Sequence, residues 1–325
     1  MAECALVTGG AGFIGLHLVR RLLADGARVT VLDDFSRGRR DPEFDELTRD
    51  VQVVPHDLTT PIPDNLLTAD FDAVYHLAAM VGVQRTAAQP AKLLRTNILA
   101  SMNVVDWCDR HRPGSLFLSS TSEIGDGGAA LGVTPLPTPE DRPFVLADLH
   151  RPRSGYALSK AVSEFMALLS AQDRYRVRVA RYYNVYGPRM GHSHVIPQFI
   201  GRVLDGVDPF PVYGAHQTRA FCHVDDAVEA TYRVMRLPHA GPLVVNIGDD
   251  RHEIPMIDLA RRLFALAGVD PEIAVEPAPA GSPDRRLPAL DRLRSLVPDL
   301  PHTELDAGLS SMLQWYGAER ARANR

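Results

Sequence analysis

Tyr156 and Lys160 stand four residues apart in Tyr156-Ala157-Leu158-Ser159-Lys160, a spacing that puts a phenol and an ammonium on one face of a helix. Such a pair can work as one acid–base unit. A phenol ordinarily titrates near ~10, and a neighbouring ammonium together with a cationic cofactor ring would favour the phenolate and lower that value. Tyr156 could then take a proton from an alcohol while a hydride leaves. Ser119-Ser120-Thr121-Ser122-Glu123 directly follows the apolar run Leu116-Phe117-Leu118. That places hydroxyls and a carboxylate at the end of a strand, where open parallel sheets hold their ligands. At the start of the chain, Thr8-Gly9-Gly10-Ala11-Gly12-Phe13-Ile14-Gly15 follows Ala5-Leu6-Val7. The glycines allow a sharp turn, a close approach of backbone to a pyrophosphate and tight packing of helix on strand, and the helix start offers free N–H groups to phosphate.

The elements that must carry these residues are legible as well. Leu16 to Leu23 has apolar residues at helical spacing, Gly26 ends that helix, and Val29-Thr30-Val31-Leu32 reads as a second strand closing on Asp33. A carboxylate there accepts from the adenosine ribose hydroxyls and repels a 2′-phosphate, which favours NAD over NADP; Arg37 and Arg39 are the nearby groups that could instead reach such a phosphate. Strand-like runs at Gln52-Val53-Val54, Ala73 to Leu77, Leu116 to Leu118 and Arg178 to Arg181 alternate with helical patterns. The expectation is a Rossmann-type doubly wound parallel α/β sheet, with a smaller mixed α/β substrate-binding lobe. Residues 1–183 would form the NAD-binding domain, with 215–250 returning to it. Residues 184–214 and 251–325, irregular and carrying a Pro/Ala-rich stretch from Glu276 to Pro283, would form the lobe. Wide apolar faces on the helices from Leu93 to Cys108 and from Tyr156 to Leu169 suggest a homodimer seam.

At 325 residues the chain can bury a sizeable core, and its net charge of −5 comes from well-mixed signs. Neither nucleic acid nor a membrane surface is expected as partner. Three cysteines, Cys4, Cys108 and Cys222, show no metal-ligand spacing, so no metal and no disulfide are expected, in keeping with a reducing cytoplasm. No signal peptide or membrane anchor is expected.

Taken in order, the Gly-rich turn at 8–15, Asp33, His56-Asp57-Leu58, His76-Leu77-Ala78-Ala79, the Thr121 region, Tyr156/Lys160 and Tyr183-Asn184-Val185-Tyr186-Gly187-Pro188-Arg189 resemble the extended short-chain dehydrogenase/reductase superfamily. Within it, the chain resembles the NAD-dependent nucleotide-sugar epimerases, dehydratases and decarboxylases. The resemblance implies that Gly9, Gly12, Phe13, Ile14, Gly15, Asp33, Leu58, Leu77, Ala78 and Ala79 bind NAD, that Asp57 meets the adenine and that Lys160 also holds the nicotinamide ribose. It implies further that Thr121 and Tyr156 grip the sugar's C4 oxygen and that Ser122, Asn184 and Arg189 serve the substrate. Gln217-Thr218-Arg219-Ala220-Phe221 resembles the strand that binds a nucleotide diphosphate in these enzymes, with Arg219 on the phosphates. Arg286, in Arg285-Arg286-Leu287-Pro288, matches an arginine that reaches the diphosphate or a sugar carboxylate; a guanidinium fork suits both anions.

All these reactions can begin by oxidising C4. A 4-epimerase needs no further carboxylate beside Thr121, yet Glu123 is there. The 4,6-dehydratases place an Asp before that Glu, where this chain has Ser122, too weak an acid to expel a hydroxyl. Thr121-Ser122-Glu123 resembles the triplet of the UDP-glucuronate decarboxylases, the nearest in motifs, and decarboxylation of UDP-glucuronate is the expected reaction. Three departures keep 4-epimerisation and dehydration open: Gly125-Asp126-Gly127-Gly128 replaces a Val-Tyr-Gly-like turn, Ala157-Leu158-Ser159 follows the general epimerase pattern, and the loop from Met190 to Val195 is short and lacks an arginine. A dinucleotide sensor without turnover is a further alternative, disfavoured by the intact Thr121/Tyr156/Lys160 set.

Overall fold

The computed structural model describes residues 2–67, 70–82, 88–172, 174–239 and 241–323. Its first strand, β1 (Cys4–Thr8), is wholly buried and runs into the glycine turn. Gly9 takes φ +74°, and a Cβ there would stand 2.7 Å from the Ala78 amide nitrogen; one on Gly15 would stand 2.1 Å from the Gly9 carbonyl oxygen. Only glycine fits this crossing. Helix α1 (Phe13–Ala24) follows, with Leu16, Leu18, Val19 and Leu22 buried against the sheet, and Gly26 at φ +78° turns the chain back. Strand β2 (Arg28–Asp33) then pairs with β1 in parallel.

The helix α2 (Pro42–Leu47) leads to β3 (Val51–Pro55), and β4 (Ala73–His76) crosses to the other side of β1. The order reverses there, which opens a crevice at the carboxyl ends of β1 and β4. Helix α3 (Pro90–His111), β5 (Ser115–Thr121), the short helix α4 (Asp126–Ala130), α5 (Pro152–Ser170) and β6 (Arg176–Tyr182) continue the winding.

After β6 the chain leaves through β7 (Val185–Tyr186), α6 (Val195–Leu204), β8 (Phe210–Tyr213), β9 (Thr218–Ala220) and β10 (Cys222–His223). It returns through α7 (Val224–Arg236) to β11 (Leu243–Ile247), which closes a seven-stranded parallel sheet of order β11-β6-β5-β4-β1-β2-β3. Hydrophobic residues cover both faces. One core joins α1, α7 and Leu290, Leu293 and Val297 to the sheet; another places α3 and Ala167 and Ala171 on the opposite face. This is the Rossmann-type α/β architecture read from the alternation of strands and helices.

The remaining elements are β12 (Glu253–Pro255), α8 (Met256–Ala267), β13 (Ile273–Glu276), β14 (Arg285–Arg286), α9 (Asp291–Leu296) and α10 (Leu305–Ala323). Phe199, Phe210, Leu259, Phe264, Leu309 and Met312 form a third core between α6, β8, α8 and α10. Strand β9 joins β12 and β14 in a small sheet, with Arg219 in register with Arg286. The segment returning to the large sheet thus begins near Cys222, since Thr218–Ala220 pairs with the lobe strands. Among the described residues no helix is long and apolar enough to cross a membrane.

Candidate functional site

A cleft of about 960 Å³ runs along the carboxyl ends of the sheet strands, from Asp33 and Asp57 at one end to Glu123, Tyr156 and Arg286 at the other. That is the upper end of the ~300–1,000 Å³ usual for ligand clefts. Gly9, Gly12, Phe13, Ile14, Gly15, Leu58, Leu77, Ala78 and Ala79 line it, as do Thr121, Ser122, Lys160, Asn184 and Arg189.

At the first end, Asp33 is buried and its carboxylate accepts from the amides of Ala11 (3.0 Å) and Phe35 (2.8 Å). Burial pushes its pKa up, and those two amides oppose the shift. Gly12 caps α1 without any side-chain cap, so the first amides of the helix are left to a ligand. Arg37 donates to the Ala79 carbonyl at 3.3 Å and Arg39 pairs with Glu319 at 2.7 Å. A cradle open only to backbone, a bare helix start and a carboxylate at the ribose position fit NAD. Asp57 turns its carboxylate onto the Thr59 amide (2.8 Å) at the cleft wall.

Arg189 differs from its expected place at the substrate. Its Nε bonds Asp41 (2.7 Å), Nη1 donates to the carbonyls of Ala11 (2.9 Å) and Gly12 (2.8 Å), and Nη2 donates to that of Arg39 (3.0 Å). The guanidinium is therefore committed to the glycine turn, which it clamps from behind at 3% exposure. The spacing of the motif does not encode the direction of this side chain.

Beneath the turn, His76 joins Thr8 Oγ1 (2.8 Å) to Ser101 Oγ (3.1 Å). Burial, helped by the charge of Lys160, lowers its pKa to about 3, so the ring is neutral. Ser101 accepts from Ser163 at 2.8 Å, and Asn97 donates to Ser159 (3.2 Å) while exchanging two hydrogen bonds with Met80. These contacts lock α3 to α5 and so fix the helix that carries Tyr156 and Lys160.

Lys160 is buried and donates to the Ser119 carbonyl at 2.8 Å. Burial lowers its pKa to about 8, with the Glu164 carboxylate opposing. In the cofactor-free protein, desolvation in the cleft and the Glu123 carboxylate push the Tyr156 pKa well above the ordinary value, and Thr121, Arg37 and Arg286 only soften the rise. The phenol is protonated there; the lowered value expected from the sequence belongs to the protein with a cationic cofactor ring beside it.

Thr121 ends β5 and caps the turn Ser122–Ile124, accepting from the Glu123 amide at 3.2 Å. This fixes Glu123 over the cleft, where its Oε1 accepts from Arg153 Nη2 (3.0 Å) and Nε (3.3 Å) and lies 3.7 Å from Arg286 Nη2. Arg286 is 8% exposed and holds Asp126 through Nη2 and through Nε at 3.2 Å. Arg219, on the adjacent strand, donates to the carbonyls of Thr218 (2.7 Å) and Asp284 (3.3 Å) and to Ser282 Oγ (3.0 Å). Burial and the charge of Arg286 bring its pKa down to about 10. Asn184, at φ +42°, donates to the Ala220 carbonyl at 2.9 Å.

Sequence reasoning missed Arg153 and the site role of Asp126. Arg153 precedes Tyr156 by one helical turn, a spacing that could have placed it on the same face. Asp126 was visible only as a departure from a motif. Its neighbours explain the departure, because a Cβ on Gly127 would lie 1.8 Å from the Val145 carbonyl oxygen. His194, half-buried at the cleft wall with its pKa lowered to about 4 by desolvation, was also missed.

Residues 5–248 match the family described as the NAD dependent epimerase/dehydratase family. The chain is 32% identical to the UDP-N-acetyl-alpha-D-glucosaminuronate decarboxylase of Bacillus cytotoxicus over 97% of its own length and 98% of the relative's. It is 32% identical to UDP-glucuronic acid decarboxylase 1 of Xenopus tropicalis, over 97% of this chain and 72% of that one. Among solved structures it resembles MoeE5 in complex with UDP-glucuronic acid and NAD, with 28% identity, TM-score 0.83 and coverage of 98% of this chain and 100% of the other.

Proposed function

This chain belongs to the NAD-dependent epimerase/dehydratase family and is an enzyme that modifies nucleotide sugars, and we propose that its reaction is decarboxylation of UDP-glucuronate through a transient 4-keto sugar. The observation that carries this reading is Glu123 bracketed by Arg153 and Arg286, beside Thr121 and Tyr156. Turning over a 4-keto sugar needs no such carboxylate. Two guanidinium groups are suited to a sugar that brings its own carboxylate. The decarboxylase relatives support the same choice.

When bound, NAD accepts the C4 hydride and later returns it, so it finishes unchanged. The chain's residues do the rest. Gly9, Gly12, Gly15, Asp33, Asp57 and Lys160 would hold the cofactor; with its cationic ring beside Tyr156 the phenol loses its proton to solvent, and the phenolate then takes the C4 hydroxyl proton while Thr121 hydrogen-bonds the same oxygen. With C4 a ketone, the C6 carboxylate is that of a β-keto acid. The C5–C6 bond breaks, carbon dioxide departs, and the electron pair enters an enolate whose oxygen faces Tyr156 and Thr121. A solvent water held by Glu123 delivers a proton to C5 in place of the lost carboxylate. Arg219 serves the diphosphate, Arg286 faces the sugar carboxylate, and Ser122 and Asn184 stand at the sugar.

A second reading, 4-epimerisation of a UDP-uronate, is favoured by the Asp126 carboxylate on Arg286, which already satisfies one edge of that guanidinium. Incubation with NAD and UDP-glucuronate followed by product mass separates the two. Loss of carbon dioxide is expected; unchanged mass with altered stereochemistry supports the second reading, and no reaction with any uronate overturns the first. The same proposal includes a cytoplasmic homodimer, supported by Phe165 and Leu169 exposed on α5 and Met102 on α3.

A further inference from the structure

We propose that His252, His302 and Glu304 form a divalent-cation site of the zinc type, outside the catalytic cleft, that ties the segment before β12 to the start of α10. None of the three lines the cleft. Each offers one ligand atom, and the three atoms lie within 4.8 Å of one another. His302 Nε2 is 3.3 Å from Glu304 Oε1, and His252 Nε2 is 3.8 Å from Glu304 Oε2. Around a tetrahedral zinc with bonds of about 2.0–2.2 Å, ligand atoms stand roughly 3.3–3.5 Å apart. The His302–Glu304 separation already matches such an edge, and the other ligand atoms, all within 4.8 Å of one another, would close by roughly 1 Å onto an ion.

The orientation of His302 is the second observation. Its Nδ1 lies 2.9 Å from Asp249 Oδ2, the carboxylate–histidine arrangement that fixes a tautomer and turns the other nitrogen's lone pair outward. That outward Nε2 is buried and makes no hydrogen bond, although the Glu304 carboxylate is close by. With Nδ1 turned onto Asp249, Nε2 faces the Glu304 oxygen, and a shared cation would take both as ligands. The backbone beside them is already set: Thr303 donates its amide (2.8 Å) and hydroxyl (3.0 Å) to Asp226 on α7. Two imidazole nitrogens and a carboxylate suit zinc, with a fourth position for water.

Such an ion would brace the lobe. Residue 252 leads directly into β12, which pairs with the strand carrying Arg219, and residue 304 leads into α10 of the third core. His252 and His302 lie fifty residues apart and only the fold brings them together, whereas the expectation of no metal rested on the spacing of the cysteines.

The test is zinc titration of chelator-stripped, NAD-loaded protein by calorimetry, with cobalt as spectroscopic probe. One equivalent of zinc, tetrahedral d–d bands with cobalt and a rise of about 5 °C in unfolding midpoint at saturating zinc are expected. His252→Ala and Glu304→Gln alter exposed side chains and should fold normally yet lose the stoichiometric equivalent. Asp249→Asn should bind about 10–100-fold more weakly. The proposal is overturned if wild type takes up no stoichiometric zinc, or if His252→Ala binds it as tightly as wild type. Neither readout depends on which sugar the enzyme converts.

Discussion

At the glycine turn, charged side chains hold mainly backbone: Asp33 the amides of Ala11 and Phe35, and Arg189, besides its pair with Asp41, the carbonyls of Ala11, Gly12 and Arg39. At the sugar end, charged side chains meet one another, in Glu123 with Arg153 and in Arg286 with Asp126 and Glu123. The contrast has a functional meaning. Backbone partners cannot leave, so the cofactor end keeps one shape. Side-chain ion pairs can be exchanged for a ligand's own anions, so the sugar end can re-pair its arginines as substrate enters and carbon dioxide departs.

The most damaging change to the exchangeable end is Tyr156→Phe, which removes the group that takes the C4 hydroxyl proton. Turnover should fall by about 10³-fold or more, with NAD affinity essentially retained, as single-turnover rates and a cofactor titration would show. Near wild-type turnover would refute the assigned role. At the fixed end, Arg189→Met leaves Asp41 and three carbonyls without their buried donor. A loss of about 3 kcal/mol in stability is expected, together with weaker NAD binding, measured by chemical denaturation and cofactor titration. If stability were unchanged, the turn would not depend on this clamp and the contrast between the two ends would fail.

The smallest expected effect is a pH dependence. His76 has its pKa lowered from 6.5 to about 3 in the folded protein, so between those values the unfolded chain binds the extra proton. Stability from this group is therefore present above pH 6.5 and is lost as pH falls toward 3, with a slope of up to about 1.4 kcal/mol per pH unit. Denaturation midpoints between pH 7 and pH 5 should fall less steeply in His76→Asn than in wild type; equal slopes would show that His76 does not titrate in this way.

The same contrast explains what could be read in advance. The glycine turn, Asp33 and the Tyr156/Lys160 pair depend on spacing within one strand–turn–helix or one helix, and their lining of a single cleft follows from parallel winding. The direction of Arg189 and the pairing of Arg286 with Asp126 depend on segments more than a hundred residues apart, which local spacing cannot encode. Burial of the Tyr156 phenol and its approach to the Glu123 carboxylate, which raise its pKa in the cofactor-free protein, likewise arise only in the folded cleft.

The reaction itself is the claim on which the account of the sugar end stands. Its most direct test is turnover of UDP-glucuronate with NAD in deuterium oxide. Cleavage of C5–C6 obliges C5 to take one proton from solvent or from Glu123, so the account predicts a UDP-pentose lighter by carbon dioxide and carrying a single deuterium at C5, with Glu123→Gln forming it much more slowly. A UDP-uronate of unchanged carbon count as the sole product would contradict it.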